Sequence, residues 1–373
     1  MNLNDTKECE VVLSKICDKM RAVVKRNHHK LPYSTVDGVF DDYSDDANIG
    51  WWTNGFWGGI LWQLYNVTKE PMFFDEAGYQ EVLLDRVFMN WSMLDHDNGF
   101  RWLPTSAAAY QFNKNEKSLN RIMLAANNFL GRFNINGNYF RAWNDFNGLD
   151  NRGIAIIDCM MNLPLLYLAS DLTNDRRFYD AAYAHAVTAA RDFIRDDGSV
   201  VHIVRYDNET GKFIETLGGQ GVEVGSSWTR GQAWGLYGFV LSYIHTKNVD
   251  FLNTSKKIAD YIISELNSDF IVPVDYRQPK DVKYSDSSAA AITASGLISL
   301  YRETKDEKYL NTAVKLLESL LEHDADFDIN TDSILNKCSA KYHDDVHEFS
   351  IIYGDYYFIE AIFKLLNKEL FIW

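Results

Sequence analysis

Residues 297–313 read LISLYRETKDEKYLNTA, and this stretch decides the architecture. An apolar run closes on Leu300 and Tyr301, gives way to Thr304 and the polar pair Lys305-Asp306, and resumes at Tyr309. Beyond the turn, Tyr309, Leu310, Ala313, Leu316, Leu317 and Leu320 recur at steps of three and four, which is one face of a helix. The unit is a helical hairpin. Working outward, the same grammar returns in GILWQLYNVTKEPMFFDEA (59–77, turn at Thr68), LPLLYLASDLTNDRRFYDAA (163–182, turn at Thr173) and FVLSYIHTKNVDFLNTS (239–255, turn at Thr246). A degenerate copy, AYQFNKNEKSLNRIMLAA (109–126), turns near Asn113. Asp, Asn or Lys in each turn stops one helix and caps the next.

The helix after each turn is amphipathic, whereas the run before it is apolar nearly all round, as in IAIIDCMMNLPLLYLA at 154–169. Such a helix is covered on both sides and belongs to an inner layer. Inner helices are expected to begin near Asn54, Ser106, Gly153, Arg230, Ser287 and Tyr353, with residues 1–50 supplying one outer helix and an arm. Six inner helices ringed by six outer ones make an all-α (α/α)6 barrel, which buries every inner helix and leaves no open end. An open α-solenoid would leave the aromatics of the inner helices unused. No linker or low-complexity stretch divides the chain, so residues 1–373 read as one domain.

Composition agrees with a folded helical protein: 46% hydrophobic, 24% charged and only 6 Pro in 373 residues. The net charge of −15 argues against nucleic-acid or anionic-membrane partners, which need a basic footprint. Cys9, Cys17, Cys159 and Cys338 form no C-x-x-C pair, so neither a zinc knuckle nor a redox motif is expected. The opening MNLNDTKECEVVLSK lacks the apolar core of a secretion signal, and no long uncharged apolar run follows. A cytoplasmic protein with free thiols is expected. No phosphate loop, dinucleotide fingerprint, H-E-x-x-H or G-x-S-x-G occurs, so no cofactor or metal is expected. His343 and His347 stand four apart, but no third ligand is evident.

In such a barrel all inner helices start at one end, and the loops feeding them form one wall. Those loops concentrate Trp51, Trp52, Trp102, Trp143 and Trp228 with His, Asp, Arg and Gln, as in DDANIGWWTNGFW and FRAWNDFNGLDNRG. Clustered Trp in polar loops suits flat apolar faces such as sugar rings. Asp158 is the only charge between Arg152 and Asp171. Burial would raise its pKa and make it a proton donor near neutrality, with Asn162 four residues on to orient it. Asp97, in Asp95-His96-Asp97-Asn98-Gly99-Phe100, reads either as a turn residue or as a second carboxylate at the mouth. Arg230 opens a helix, against the dipole preference, which points to an anionic ligand; Trp234 shares its face and reads equally as core. His202 and Gln220 lie on the loop that leads to it.

IIDCMMNLPLLY around Asp158, HDNGF around Asp97 and SSWTRGQAWGLYG around Arg230 resemble the unsaturated glucuronyl hydrolases, glycoside hydrolase family eighty-eight. The resemblance covers nearly the whole chain and implies an (α/α)6 barrel. It implies removal of the Δ4,5-unsaturated uronic acid that polysaccharide lyases leave at the non-reducing end of glycosaminoglycan fragments. It implies Asp158 as general acid and base and Asp97 as its supporting carboxylate. Trp51, His96, Trp143, His202, Gln220, Arg230 and Trp234 would contact substrate. Members that favour sulfated substrates carry Ser-x-x-Ser-x-Lys; here Asn336 replaces the first Ser while Ser339 and Lys341 remain. The partner is then an unsaturated oligosaccharide, and the protein a monomer or weak homodimer. Three rivals stay open: an unsaturated rhamnogalacturonyl hydrolase, an inverting glucanase, and a non-catalytic carbohydrate-binding toroid.

Overall fold

The hairpin turns are built the same way four times. The hydroxyls of Thr68, Thr173, Thr246 and Thr304 each donate to the carbonyl four residues earlier at 2.7–2.9 Å. Each hydroxyl also accepts the N–H two residues ahead at 3.2–3.3 Å. One side chain thus serves both the ending helix and the turn. The next residue, Lys69, Asn174, Lys247 or Lys305, takes a left-handed φ of 55–59°. Asp175, Asn248 and Asp306 then cap the outer helix with their side-chain oxygens. At the degenerate turn, Asn113 replaces Thr and accepts the Asn115 N–H at 2.8 Å.

A computed structural model describes residues 2–146 and 148–373. Among them, twelve principal helices follow in order: α1 (Thr6–Arg26), α2 (Phe56–Thr68), α3 (Pro71–Leu83), α4 (Ala108–Asn113), α5 (Glu116–Leu130) and α6 (Pro164–Thr173), then α7 (Arg176–Asp192), α8 (Thr229–Thr246), α9 (Val249–Glu265), α10 (Ser287–Thr304), α11 (Glu307–His323) and α12 (Ile352–Leu365). The even-numbered helices form the inner ring. α12 packs on α2 to close that ring, and α1 packs on α12 as the outer partner of the sixth hairpin. The fold is the all-α (α/α)6 barrel expected. Inner burial is nearly total: every residue from Thr229 to Ser242 and from Ser287 to Leu300 is buried.

Two inner staves depart from the sequence reading. The second begins at Asn98, ahead of Ser106, and passes through a π turn at Leu103–Ala107 before α4. Pro104 lacks the N–H that a regular helix needs there. The third does not start as a helix near Gly153. Ile154–Ile156 instead forms strand β1, followed by a 3-10 turn over Ile157–Met161, and α6 begins only at Pro164. β1 pairs antiparallel with β2 (Ile203–Tyr206), which pairs with β3 (Phe213–Leu217). The β-branched Ile154 and Ile156 suit a strand, and Pro164 suits the first turn of a helix.

The bore is filled with aromatics. Phe56 packs on Phe100, Tyr353, Tyr356 and Tyr357, and Trp373 stacks on Tyr357 at 5.9 Å. At this end Trp373 Nε1 donates to Glu360 Oε2 at 2.7 Å, and Glu360 pairs with Lys364 at 3.1 Å, both side chains 1% exposed. The floor is therefore sealed. Among the described residues no helix is long and apolar enough to cross a membrane.

Candidate active site

The small sheet brings the first two functional groups together. β1 and β2 register Ile156 opposite Ile203, and the Ile157 N–H donates to the His202 carbonyl at 3.1 Å. This pairing sets His202 Nε2 3.9 Å from Asp158 Oδ2. The backbone N–H of Gln220 donates to His202 Nδ1 at 2.9 Å. A neutral ring so held carries its proton on Nε2, toward Asp158. Burial, and then the Arg230 charge, drive His202 down to about 3, so it is neutral. The loop can come this close because residue 219 is glycine: φ is +62°, and a Cβ there would stand 2.0 Å from His202 Nδ1.

The Asp158 side chain is 15% exposed, enough to meet a ligand and too little to be well hydrated. Burial pushes its carboxyl up from 3.8 to about 7, against the opposing pull of Arg230. Its Oδ2 has no hydrogen-bond partner. Asn162 does not orient this carboxyl, contrary to the four-residue spacing. It donates through Nδ2 to Asp97 Oδ1 at 3.2 Å and to the Asp158 backbone carbonyl at 3.3 Å. A 3-10 turn has three residues per turn, so residues four apart no longer share a face. Asn162 Oδ1 accepts the Phe100 N–H at 2.8 Å, which ties the third stave to the second. Gly99 permits that approach, since a Cβ there would lie 2.5 Å from Asn162 Cα.

Asp97 is buried at the start of the second stave. Burial, then the charge of Asp95, hold its carboxyl well above the usual range, and Asp158 adds to the effect. At Asp95 burial also works upward, but the charge and hydrogen bonds of Arg101, 2.8 Å away, keep it below the usual range. The mouth thus holds one carboxyl kept low by Arg101 (Asp95), one held well above the usual range (Asp97) and one that titrates near neutrality (Asp158). His96 is driven to about 3 by burial and lies 3.4 Å from Asp97 Oδ1, with both ring nitrogens unpartnered.

Arg230 is not free as the sequence reading expected. It is 2% exposed and donates to the carbonyls of Ser339 and Ala340, both at 2.7 Å, and to Asp286 Oδ2 at 3.3 Å. Its guanidinium lies over the rings of Trp228 and Tyr353, at 4.6 and 5.2 Å. Gln220 helps hold the same strap: its Nε2 donates to the Ala340 carbonyl at 3.1 Å, and its carbonyl accepts the Tyr342 N–H at 2.9 Å. Ser339 Oγ donates its hydrogen to the Ser285 carbonyl at 2.7 Å, and Lys341 pairs with Asp344 at 3.0 Å. Trp51 is 41% exposed beside Tyr33 and Tyr43, and Trp143 is partly buried against Ile154, Ile156 and Ile203. Trp234 is fully buried against Phe100 and Tyr357. Trp102 is a correction: it faces away from the mouth and stacks on Phe88 at 4.4 Å. His343 and His347 point their Nε2 atoms at the carbonyls of Val222 and Tyr342.

Sequence reasoning missed Asp95, Arg101 and Asp286. Asp95 and Arg101 stand six apart across the start of a short helix, a spacing that gave no helical signal. The β2–β3 hairpin did leave a signal: HIVRY and FIETL, separated by a turn-forming DNETGK.

Six buried polar atoms on five side chains end without partners among the described residues in one region: Asp158 Oδ2, His202 Nε2, both nitrogens of His96, Arg230 Nε and Trp228 Nε1. Unpaired buried polar atoms are costly, and their convergence beside a carboxyl that titrates near pH 7 marks a place for a polar ligand. A helical-hairpin ring with Trp at its open end, a sealed floor and an acid at the mouth defines the toroidal class of carbohydrate-cleaving hydrolases. Residues 34–358 match the family described as Glycosyl Hydrolase Family 88, and the chain belongs to it. The unsaturated chondroitin disaccharide hydrolase of Streptococcus pneumoniae is 31% identical over 366 residues, spanning 94% of this chain and 92% of that one. The crystal structure of the unsaturated glucuronyl hydrolase of Bacillus sp. strain GL1 matches with a TM-score of 0.88 at 30% identity, covering 96% of each chain. That of the Streptococcus agalactiae unsaturated glucuronyl hydrolase gives 0.91 at 27%, covering 99% and 94%.

Proposed function

We propose that this glycoside hydrolase releases the Δ4,5-unsaturated uronic acid from the non-reducing end of lyase-generated glycosaminoglycan oligosaccharides, with Asp158 as the proton donor. The observation that carries the reading is the Asp158 carboxyl: its Oδ2 is unpartnered and burial holds it at about 7. The substrate is a vinyl ether, C4=C5–O, conjugated to a carboxylate. Protonated Asp158 gives its proton to C4, and the positive charge falls on C5 and the ring oxygen. Water then adds at C5 and returns a proton to the Asp158 carboxylate, giving a hemiketal that opens and releases the partner sugar. His202 Nε2–H, 3.9 Å from Asp158 Oδ2, can hold the water or a substrate hydroxyl within hydrogen-bond reach of both groups.

Asp97 supports the donor without touching the reacting carbons. Burial and the charge of Asp95 hold its carboxyl well above the usual range, which favours its neutral form beside the forming carboxylate. This differs from ordinary glycoside hydrolysis, in which two carboxyls flank the anomeric carbon. Trp51 and Trp143 are proposed to face sugar rings, and His96 and Gln220 to line the mouth. Trp234 is proposed to support the site from beneath, and Arg230 to act through its Nε–H and its hold on the strap. Asn336 in place of the first Ser, and a Ser339 hydroxyl engaged by the Ser285 carbonyl, support an unsulfated fragment over a sulfated one. The relatives carry glucuronyl and chondroitin names, so the rhamnogalacturonyl reading is not favoured.

We further propose that residues 1–373 act as one catalytic domain, supported by a hydrophobic cluster that runs from Leu3 to Trp373. A cytoplasmic monomer or weak homodimer without nucleic-acid or membrane partners fits four unpaired buried cysteines and a net charge of −15. The deciding experiment is direct. Unsaturated chondroitin disaccharide loses its ultraviolet absorbance when the protein is added, because the conjugated C4=C5 bond is consumed. Persistent absorbance, with saturated glucan cleaved instead, would replace this reading by the glucanase one.

A further inference from the structure

His28, His29 and Glu76 lie on the outer wall, where the loop leaving α1 meets α3, and none takes part in the site above. Glu76 is 2% exposed. Its Oε1 accepts the His29 N–H at 2.9 Å and Gln80 Nε2 at 2.7 Å. Its Oε2 faces His28 Nδ1 at 2.5 Å, and among the described residues His28 is its one ion-pair partner. A buried carboxylate with no Lys or Arg to balance it is costly. The two imidazoles lie close together: the His28 and His29 centroids are 3.6 Å apart with the rings tilted by 31°, and His29 stacks on Tyr79 at 3.6 Å and 15°. One donor atom from each of His28, His29 and Glu76 falls within 4.8 Å of the others.

We propose that His28, His29 and Glu76 bind a divalent transition-metal ion of the zinc type, with a fourth position open to water. Two imidazoles and one carboxylate suit such ions, whereas calcium and magnesium take sets of oxygen ligands. Gln80 and the His29 amide fix Oε1 from the second layer, which leaves Oε2 directed at the ion. The His28 side chain is 64% exposed, so its ring swings outward to admit a metal at about 2.0–2.1 Å from each donor. The ion neutralises Glu76 and clips the exit of α1 to α3. It binds the folded chain and not the unfolded one, so it stabilises the wall of the barrel.

Untagged, EDTA-treated full-length protein is titrated with Co2+, followed by visible absorption, and with Zn2+, followed by calorimetry and thermal melting. One equivalent binds, Co2+ shows the bands of a low-coordinate nitrogen–oxygen site, and Zn2+ raises the melting midpoint while Mg2+ does not. His28→Ala lowers the affinity at least roughly tenfold and removes the Zn2+-dependent rise, whatever the loss of the His28–Glu76 pair does to the metal-free melting point. Glu76→Gln behaves the same way where it folds, and His29→Ala replaces it where it does not. A His343→Ala/His347→Ala double variant keeps the full equivalent. Absence of stoichiometric binding by the wild type, or undiminished binding by His28→Ala and His29→Ala, overturns the site.

Discussion

Replacing Asp158 by Asn separates the chemistry from the folding energy of one side chain. Burial has raised this carboxyl from 3.8 to about 7, which corresponds to about 4 kcal/mol against the ionised form. The side chain is 15% exposed, so little of this is lost to solvent screening. Because the folded value lies above the unfolded one, the penalty is absent below pH about 4, grows between about 4 and 7, and is constant above. Asn carries no charge and escapes it. Asp158→Asn is therefore expected to match the wild type in urea denaturation at pH about 4 and to exceed it at pH 8, with about 4 kcal/mol as the upper bound. The same variant loses turnover on the order of 10³-fold, within the range typical of general acid–base groups, while still binding substrate by calorimetry. Turnover is followed by the disappearance of the C4=C5 absorbance, and in the wild type kcat/KM declines above pH about 7 as the proton leaves. Wild-type turnover in the variant, or a stability difference that does not change between pH 4 and pH 8, would refute the reasoning.

Asp97→Asn keeps the side chain's size but removes a carboxyl that accepts the Asn162 amide and is charge-coupled to Asp158, so kcat should fall while KM stays near wild type; an unchanged kcat would remove Asp97 from the donor's support. Gly219→Ala forces a Cβ toward His202, 2.0 Å away, and should cut kcat/KM on the order of 10²-fold by displacing the ring; an unaltered value would mean that the imbalance is absorbed elsewhere in the loop. Arg230→Met leaves Asp286 buried without its cation and should destabilise by about 3–5 kcal/mol in denaturant titration. A loss below about 1 kcal/mol, with only KM raised, would return Arg230 to the role of a free anion ligand.

The hairpin ring was legible because its grammar is local. A Thr turn, a left-handed residue and a capping Asp or Asn all fall within four positions, and the apolar faces repeat at helical spacing. The approach to Asp158 was not legible as a helix start, because what shapes it is pairing with β2, whose residues lie 47 positions on. That non-local strand turned the expected Asp158–Asn162 partnership into an Asp97–Asn162 one. The internal contacts of Arg230 were not legible for a related reason: its partners Ser339 and Ala340 are 109 and 110 residues away, beyond any spacing rule. Asp158 itself was visible, since a single acid in an apolar run is costly wherever the chain takes it.

The plug of Trp373, Tyr357, Glu360 and Lys364 makes the barrel a blind alley. A polymer cannot thread such a vessel, so only a chain tip enters, and it enters once per turnover. Traffic must reverse through the same doorway: the residue that went in first comes out last, after the truncated remainder has cleared its path. A closed floor of this kind predicts release of one terminal residue per encounter, with the length of the oligosaccharide mattering little beyond the few rings that reach the doorway.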